Sequence, residues 1–213
     1  MKLLKKANSN EPRSDADKIN MINAAAEAYG QFLTALGFDW KSDPNSEKTP
    51  LRVAKAWVND LASGCFDSKP HVSTFPNDDE DDSMKYDGMV AQLSIPVVSL
   101  CSHHNLPFTG LAHVAYIPGE KVIGLSKLNR IVDWFARRPQ IQEGLTMQIH
   151  NYLNEICEGN KGIAVVIECN HSCCSNRGIK HSSTMKTAKL SGVFIDNNDK
   201  SREEFYQFIA TLK

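Results

Sequence analysis

Between residues 18 and 36 the chain reads KINMINAAAEAYGQFLTAL, with Ile19, Ile22, Ala26, Tyr29, Leu33 and Leu36 at steps of three and four. That period predicts an amphipathic helix, with Gly37 as its stop. The next apolar stripe, in SEKTPLRVAKAWVNDLASG, predicts a second helix with Thr49 as N-cap, Pro50 at the first helical position and Gly64 at the end. Val53, Ala54, Trp57 and Leu61 share its expected buried face. Together these helices predict an N-terminal helical section over residues 18–70.

The pattern then changes. Met89 to Leu100 is rich in β-branched residues and predicts a strand, with Pro96 marking a bulge or an edge. Leu111–Ile117 predicts a second strand, leading into a turn at Pro118-Gly119. Ser126 is placed to cap a helix over SKLNRIVDWFARR, whose Leu128, Ile131, Val132 and Phe135 lie on one face. Pro139 separates it from a helix over residues 140–156, with Ile141, Leu145, Gln148, Tyr152 and Ile156 at helical spacing. Residues 162–169, GIAVVIEC, form a continuous apolar run that predicts a buried strand. Residues 184–195 predict one more strand, and residues 201–212 a closing helix capped by Ser201. The order β-β-α-α-β-β-α predicts an α+β domain, an antiparallel sheet with its helices grouped on one side.

Composition narrows the possibilities. A formal net charge of −1 over 213 residues gives no basic field, which argues against nucleic-acid binding by bulk electrostatics. No apolar run approaches the ~20 residues of a membrane span. Residues 1–17 carry basic residues but no apolar core, so they predict a short disordered leader rather than a secretory signal. The acidic run at 77–83, NDDEDDS, reads as a solvated loop. Six cysteines in a chain of this length without a secretory signal point to metal ligation or free thiols, hence to a reducing cytoplasm. Cys65 and Cys157, within helices, read as small hydrophobes.

The chemistry concentrates in CSHHNLPFTG, residues 101–110, directly after a strand. Cys101 and His104 have a C-x-x-H spacing that lets one turn present two ligands to one ion. A third thiolate is available from NHSCC, residues 170–174, which the strand at 162–169 delivers to the same end of the sheet. Three protein ligands leave a fourth position open, as a catalytic zinc requires. His103 and His171 then stand beside the metal, suited to acid–base work near neutral pH. A closed structural site of Cys101, His104, Cys169 and Cys173 is the alternative. The spare histidines and Arg177-Gly178 argue against it.

Several long segments resemble the GTP cyclohydrolase I family: CSHHNLPFTGLAHVAYIP, KVIGLSKLNRIVDWFARRPQIQE, and NHSCCSNRGIK followed by SST, with KTPLRVAKAW similar to that family's N-terminal helix. The resemblance spans roughly residues 20–210. It implies a tunnelling fold (T-fold) over residues 71–213, in which subunits join their sheets into a barrel. It also implies a homodecamer of two pentamers with active sites where subunits meet, and GTP as substrate. Carried over by position, Cys101, His104 and Cys173 are the Zn2+ ligands. The metal supplies hydroxide to attack C8 of guanine, and the products are formate and 7,8-dihydroneopterin triphosphate. His171 matches the histidine that protonates the imidazole nitrogen, and His103 the one that assists ribose opening. Glu143 matches the carboxylate that reads the guanine edge, with Gln142 beside it. Ser126, Lys127, Arg130 and Arg177 match positions around the triphosphate and ribose; Ser126 and Gln142 join the histidines in the catalytic group. Arg137 and Arg138 read as solvated or subunit-contact charges.

One departure falls inside the first motif: the family usually has Glu between the cysteine and the histidine pair, and Ser102 stands there. A missing carboxylate beside the metal bears on turnover and substrate preference. Two further readings follow from it: a catalytically weakened nucleotide-binding homologue, and the same chemistry on dGTP.

Overall fold

The computed structural model describes residues 3–77, 85–196 and 200–212. All of the acidic run except Asn77 lies outside the described residues. The chain divides into two compact units: residues 1–69 with 137–139, and residues 70–136 with 140–213.

The first unit is helical. Helix α1 (Asp15–Ala35) begins three residues ahead of the expected start because Ser14 and Asp17 form a capping box. Ser14 Oγ accepts from Asp17 N at 3.1 Å, and Asp17 Oδ2 accepts from Ser14 N at 3.2 Å. Past its end, Gly37 takes φ +86°, the left-handed stop that glycine adopts without strain. Helix α2 (Thr49–Ala56) takes Thr49 as its first residue rather than its cap, and Lys48 at the cap position makes no side-chain capping bond. The helix expected to reach Gly64 is interrupted: a π turn, Trp57–Leu61, inserts one residue before α3 (Ser63–Phe66). The shift moves the buried stripe to Ala54, Val58 and Ala62, leaving Trp57 and Leu61 half-buried. Residues ahead of α1 are tied to α3, with Glu11 N donating to Cys65 O and Arg13 N to Phe66 O, both at 2.8 Å. Arg138 is buried in this unit rather than solvated, and its Nη1 donates to Asn8 O at 3.1 Å. Cys65 is buried, and burial pushes its thiol up to about 11.

The second unit contains β1 (Thr74–Pro76), β2 (Val90–Cys101), β3 (Pro107–Ile117), β4 (Lys121–Ile123), α4 (Leu125–Ala136), β5 (Pro139–Gln140), α5 (Gln142–Ile156), β6 (Gly162–His171), α6 (Ser172–Ser175), β7 (Thr184–Leu190) and α7 (Ser201–Ala210). The main sheet has the order β5-β2-β3-β6-β7, and β1 pairs with β4 apart from it. The β2–β3, β3–β6 and β6–β7 ladders are antiparallel.

Alternation along the strands sorts the core into two layers. Val97, Ala112, Val114, Tyr116, Ile163, Val165 and Ile167 pack against Ile131 and Val132 of α4 and Leu145 and Ile149 of α5. Burying each such aliphatic side chain is worth roughly 1.5–3 kcal/mol, which makes this layer the main stabilising mass. The other parity, Ala115, Ile117, Ala164 and Val166, meets Phe205 of α7 and Phe194 from the turn that follows β7. The two long helices thus share one face, and the short closing helix covers part of the other. Strand β6 is covered on both faces there, which is why its sequence is continuously apolar.

Local boundaries differ from the sequence expectation where tertiary contacts decide. The bulge of β2 lies between Gln92 and Ile95, where Ser94 takes φ +55°, and Pro96 sits in register opposite Leu111. Ser94 N is diverted from the ladder to His113 Nδ1 at 3.3 Å. Helix α4 starts at Leu125, with Lys127 N bonded to Gly124 O, so Ser126 is inside the helix and not its cap. Gln140 belongs to β5, and α5 begins two residues later. Strand β6 runs two residues beyond Cys169, to His171. Strand β7 stops at Leu190, because Gly192 takes φ +58° to turn against Lys161 O, opening the 3-10 turn Gly192–Ile195. Ser201 is the first residue of α7, and Lys200 stands at the cap position. Among the described residues, no helix is long and apolar enough to cross a membrane.

Candidate active site and metal centre

Strand β2 delivers Cys101 to the end of the sheet, and a tight turn brings the chain back into β3. Cys101 N donates to Leu106 O and Asn105 N to Cys101 O, both at 2.8 Å, with Asn105 in the left-handed region at φ +54°. The turn projects His103 and His104 into solvent above the cysteine. Antiparallel pairing of β3 with β6 sets Phe108 opposite His171 and so lands α6, with Cys173, beside that turn.

The ligand atoms of Cys101, His104 and Cys173 all lie within 4.8 Å of one another. Cys101 Sγ is 3.9 Å from His104 Nδ1 and 3.8 Å from His103 Nδ1. Burial, then the neighbouring Cys101 and Cys174 thiols, push the Cys173 thiol up to about 11. A cation there reverses that balance and holds the sulfur as thiolate. Two thiolates and one imidazole converging with a position left open are a donor set suited to zinc. Cys169 stands outside the group: it is 1% exposed within the helix-side core, and burial pushes its thiol up to about 12. The closed four-ligand arrangement is therefore not formed among the described residues.

His171 is fixed from two sides. Its ring stacks on Phe108 with centroids 4.5 Å apart and an interplanar angle of 8°. Its Nε2 lies 2.8 Å from Gln142 Oε1. An amide oxygen only accepts, so Nε2–H donates, and Nδ1 is the nitrogen left for proton exchange. Burial lowers the pKa of His171, and the charge of Glu143 partly offsets this. Gln142 itself is 1% exposed, so it reaches a bound substrate through His171 rather than directly. Glu143, one residue on, is exposed in the first turn of α5. Arg177 follows α6, with Nη1 2.7 Å from His104 Nε2. At Ser102 the backbone N–H donates to Gln140 O at 2.9 Å.

The remaining expected residues lie elsewhere. Ser126 and Lys127 line a cavity of about 690 Å³ with Gln92 and Asn129, and Arg130 is exposed one turn further along α4. Gln92 is nine residues along β2 from Cys101, which at ~3.3 Å per residue is on the order of 30 Å. One copy of the chain thus keeps Ser126 and Lys127 well away from the cysteine–histidine cluster. Sequence reading missed Phe108, and it missed the hydroxyls of Thr146 and Thr187 behind Gln142. Apolar alternation marks Phe108 as core, and no local pattern marks the threonines.

The sequence profile of GTP cyclohydrolase I matches residues 25–210. GTP cyclohydrolase 1 of Campylobacter jejuni (strain RM1221) is 49% identical over 175 residues, covering 80% of this chain and 88% of that one. The Flavobacterium johnsoniae protein of the same name is 42% identical over 199 residues, covering 92% and 83%. That of a Sulfurihydrogenibium species is 41% identical over 197 residues, covering 90% and 96%. The match runs through the hairpin of Cys101 and His104, the start of α5 and the β6–α6 junction alike, and the chain belongs to the GTP cyclohydrolase I family, with its T-fold.

Proposed function

We propose that this protein converts GTP to 7,8-dihydroneopterin triphosphate and formate as a zinc enzyme. The observation that carries this reading is the convergence of Cys101, His104 and Cys173 beside a histidine pinned by Phe108 and Gln142. Cys101, His104 and Cys173 would hold the zinc, which would lower the pKa of water and so supply hydroxide at neutral pH. His171, its Nε2–H committed to Gln142, exchanges a proton with the imidazole ring of guanine through Nδ1. His103, exposed and 3.8 Å from Cys101 Sγ, is free to turn toward the ribose. Glu143 accepts from the N1–H and 2-amino group of guanine, and adenine leaves that carboxylate unpaired. Arg177 offers a planar fork to phosphate.

Ser126, Lys127 and Arg130 serve the triphosphate of a neighbouring copy's substrate. Their distance from the metal ligands along β2 supports this, since an extended nucleoside triphosphate does not bridge it. The active enzyme is then a homo-oligomer with shared sites, and the family's decamer satisfies that need. We place the catalytic unit in residues 71–213, behind the helical section 18–70 and the leader. The setting is cytoplasmic, on a route toward tetrahydrofolate or a related pterin.

The deciding experiment uses zinc-loaded wild type and His171→Ala with GTP, following formate release and zinc content together. The variant keeps one zinc per chain and loses formate release. Full activity in a zinc-replete His171→Ala protein overturns the mechanism.

A further inference from the structure

Gln142 is anchored far more firmly than a side chain that merely fills space. Its Nε2 lies 3.0 Å from Ile167 O, 3.0 Å from Met185 O and 3.1 Å from Thr187 Oγ1. The amide therefore draws on β6 and β7 while growing from α5. The two carbonyls decide which end of the amide faces them, because a reversed amide sets oxygen against oxygen. The terminal torsion of glutamine is broad in itself, and the amide plane is set by the three acceptors together, which share the two in-plane hydrogens of Nε2. One of the three is a side-chain hydroxyl.

Thr187 is that acceptor, and its hydroxyl is itself directed. Thr146 Oγ1 donates its one hydrogen to Gln142 O at 2.9 Å. The 2.7 Å contact between Thr146 Oγ1 and Thr187 Oγ1 is therefore made with the Thr187 hydrogen. This leaves the Thr187 lone pairs facing Gln142 Nε2. The bonds close a circuit, from the Gln142 side chain to Thr187, to Thr146, and back to the Gln142 backbone. What the circuit leaves exposed is Gln142 Oε1, 2.8 Å from His171 Nε2.

We infer that Thr187 is a positioning residue: it helps set the plane of the Gln142 amide, and through it the orientation of the His171 ring against Phe108. It touches no substrate. The inference rests on the role given to His171 above. Phe108 fixes the plane of the imidazole by stacking but does not distinguish the ring from its half-turn about Cβ–Cγ; among the described residues it is the bond to Gln142 that does. Where a ring nitrogen must meet one atom of the substrate, a misplacement of about 1 Å can cost ~100-fold in rate. A loosened but still polar anchor costs less.

The test compares zinc-loaded Thr187→Val and Thr187→Ser with wild type. The valine variant keeps the shape and removes the hydroxyl. We expect kcat to fall about 5- to 20-fold, with KM for GTP and zinc per chain unchanged. Serine restores kcat to within about twofold, because it returns the hydroxyl. Thr146→Val, which leaves the Thr187 hydroxyl undirected, lowers kcat in the same sense. Crystal structures of the valine variants show the His171 ring turned from its wild-type position or split between two. Wild-type kcat with an unmoved ring in Thr187→Val overturns the inference. A serine variant as slow as the valine one, or a rise in KM at constant kcat, does so too. Should wild type release no formate from GTP, the catalytic reading falls, and the ring orientation in Thr187→Val still decides whether Thr187 positions His171.

Discussion

Gly110→Ala tests the strand junction beneath the metal centre. Gly110 lies in β3 directly opposite Cys169 of β6, and a Cβ there sits 1.9 Å from Glu168 O, 2.7 Å from Cys169 Cα and 2.8 Å from Cys169 Sγ. The two nearest atoms are backbone, so no side chain can swing aside. Reaching ordinary contact at 3.4 Å demands that the strands part by about 1.5 Å. A ladder bond stretched by that amount is no longer a hydrogen bond. Two lost bonds cost roughly 0.5–1.5 kcal/mol each, and the steric strain adds roughly 1–3 kcal/mol. The sum, about 2–6 kcal/mol, corresponds to a fall in Tm of about 4–24 °C for a chain of this size.

The assay is thermal unfolding followed by circular dichroism, at one protein and one zinc concentration, because binding and association both shift Tm. Gly124→Ala is the control: its Cβ meets nothing closer than 3.4 Å, so its stability stays within about 0.5 kcal/mol of wild type. The Phe108–His171 pair is two residues from Gly110, so zinc per chain falls in Gly110→Ala as well. A Gly110→Ala protein that melts within about 2 °C of wild type refutes the reasoning. It would mean that β3 and β6 yield where the structure shows them in contact.

Two other outcomes follow from the charges and the topology. Burial lowers the pKa of both His113 and His150, so each resists protonation in the folded chain, while the unfolded chain takes the proton near 6.5. Stability is therefore intact above about pH 6.5 and declines as pH falls below it; urea midpoints at pH 7, 6 and 5 show this, and the decline is shallower in His150→Asn. A midpoint slope unchanged by that substitution counts against the histidine assignment. Mixing unfolded Lys127→Ala and His171→Ala chains and refolding them together regenerates intact shared sites. Random assembly gives about a quarter of wild-type formate release, whereas a site confined to one chain gives none.

The elements legible in the sequence are those whose pattern is enforced by burial on a known side. Ile163 to Ile167 is apolar without interruption because both faces of β6 are covered, and the stripe of Leu128, Ile131, Val132 and Phe135 meets the sheet. The caps are less legible for a physical reason. Thr49, Ser126 and Ser201 are each of a capping type, yet each falls one or two positions inside its helix, because the preceding chain is already turned by its own contacts. Among the cysteines, the choice between Cys169 and Cys173 turns on where β6 ends. With the strand running to His171, alternation places Cys169 on the helix side with Val165 and Ile167, and leaves Cys173 to the turn beyond.

The C-x-x-H hairpin is legible because two ligands three residues apart need only one turn to meet. Gln142 is legible as a position and not as a role. Its partners, Ile167, Met185 and Thr187, lie 25 or more residues away, and nothing local shows that its amide faces inward. The distance between Lys127 and Cys101 is beyond any reading of motifs, since a motif names residues that serve one reaction without saying how many copies supply them. The length of β2 separates the end proposed to bind phosphate from the end proposed to bind the metal. That separation makes assembly a requirement of the chemistry proposed here: a lone chain can hold the metal and orient His171, and its own Ser126 and Lys127 serve a substrate whose guanine is read by another copy.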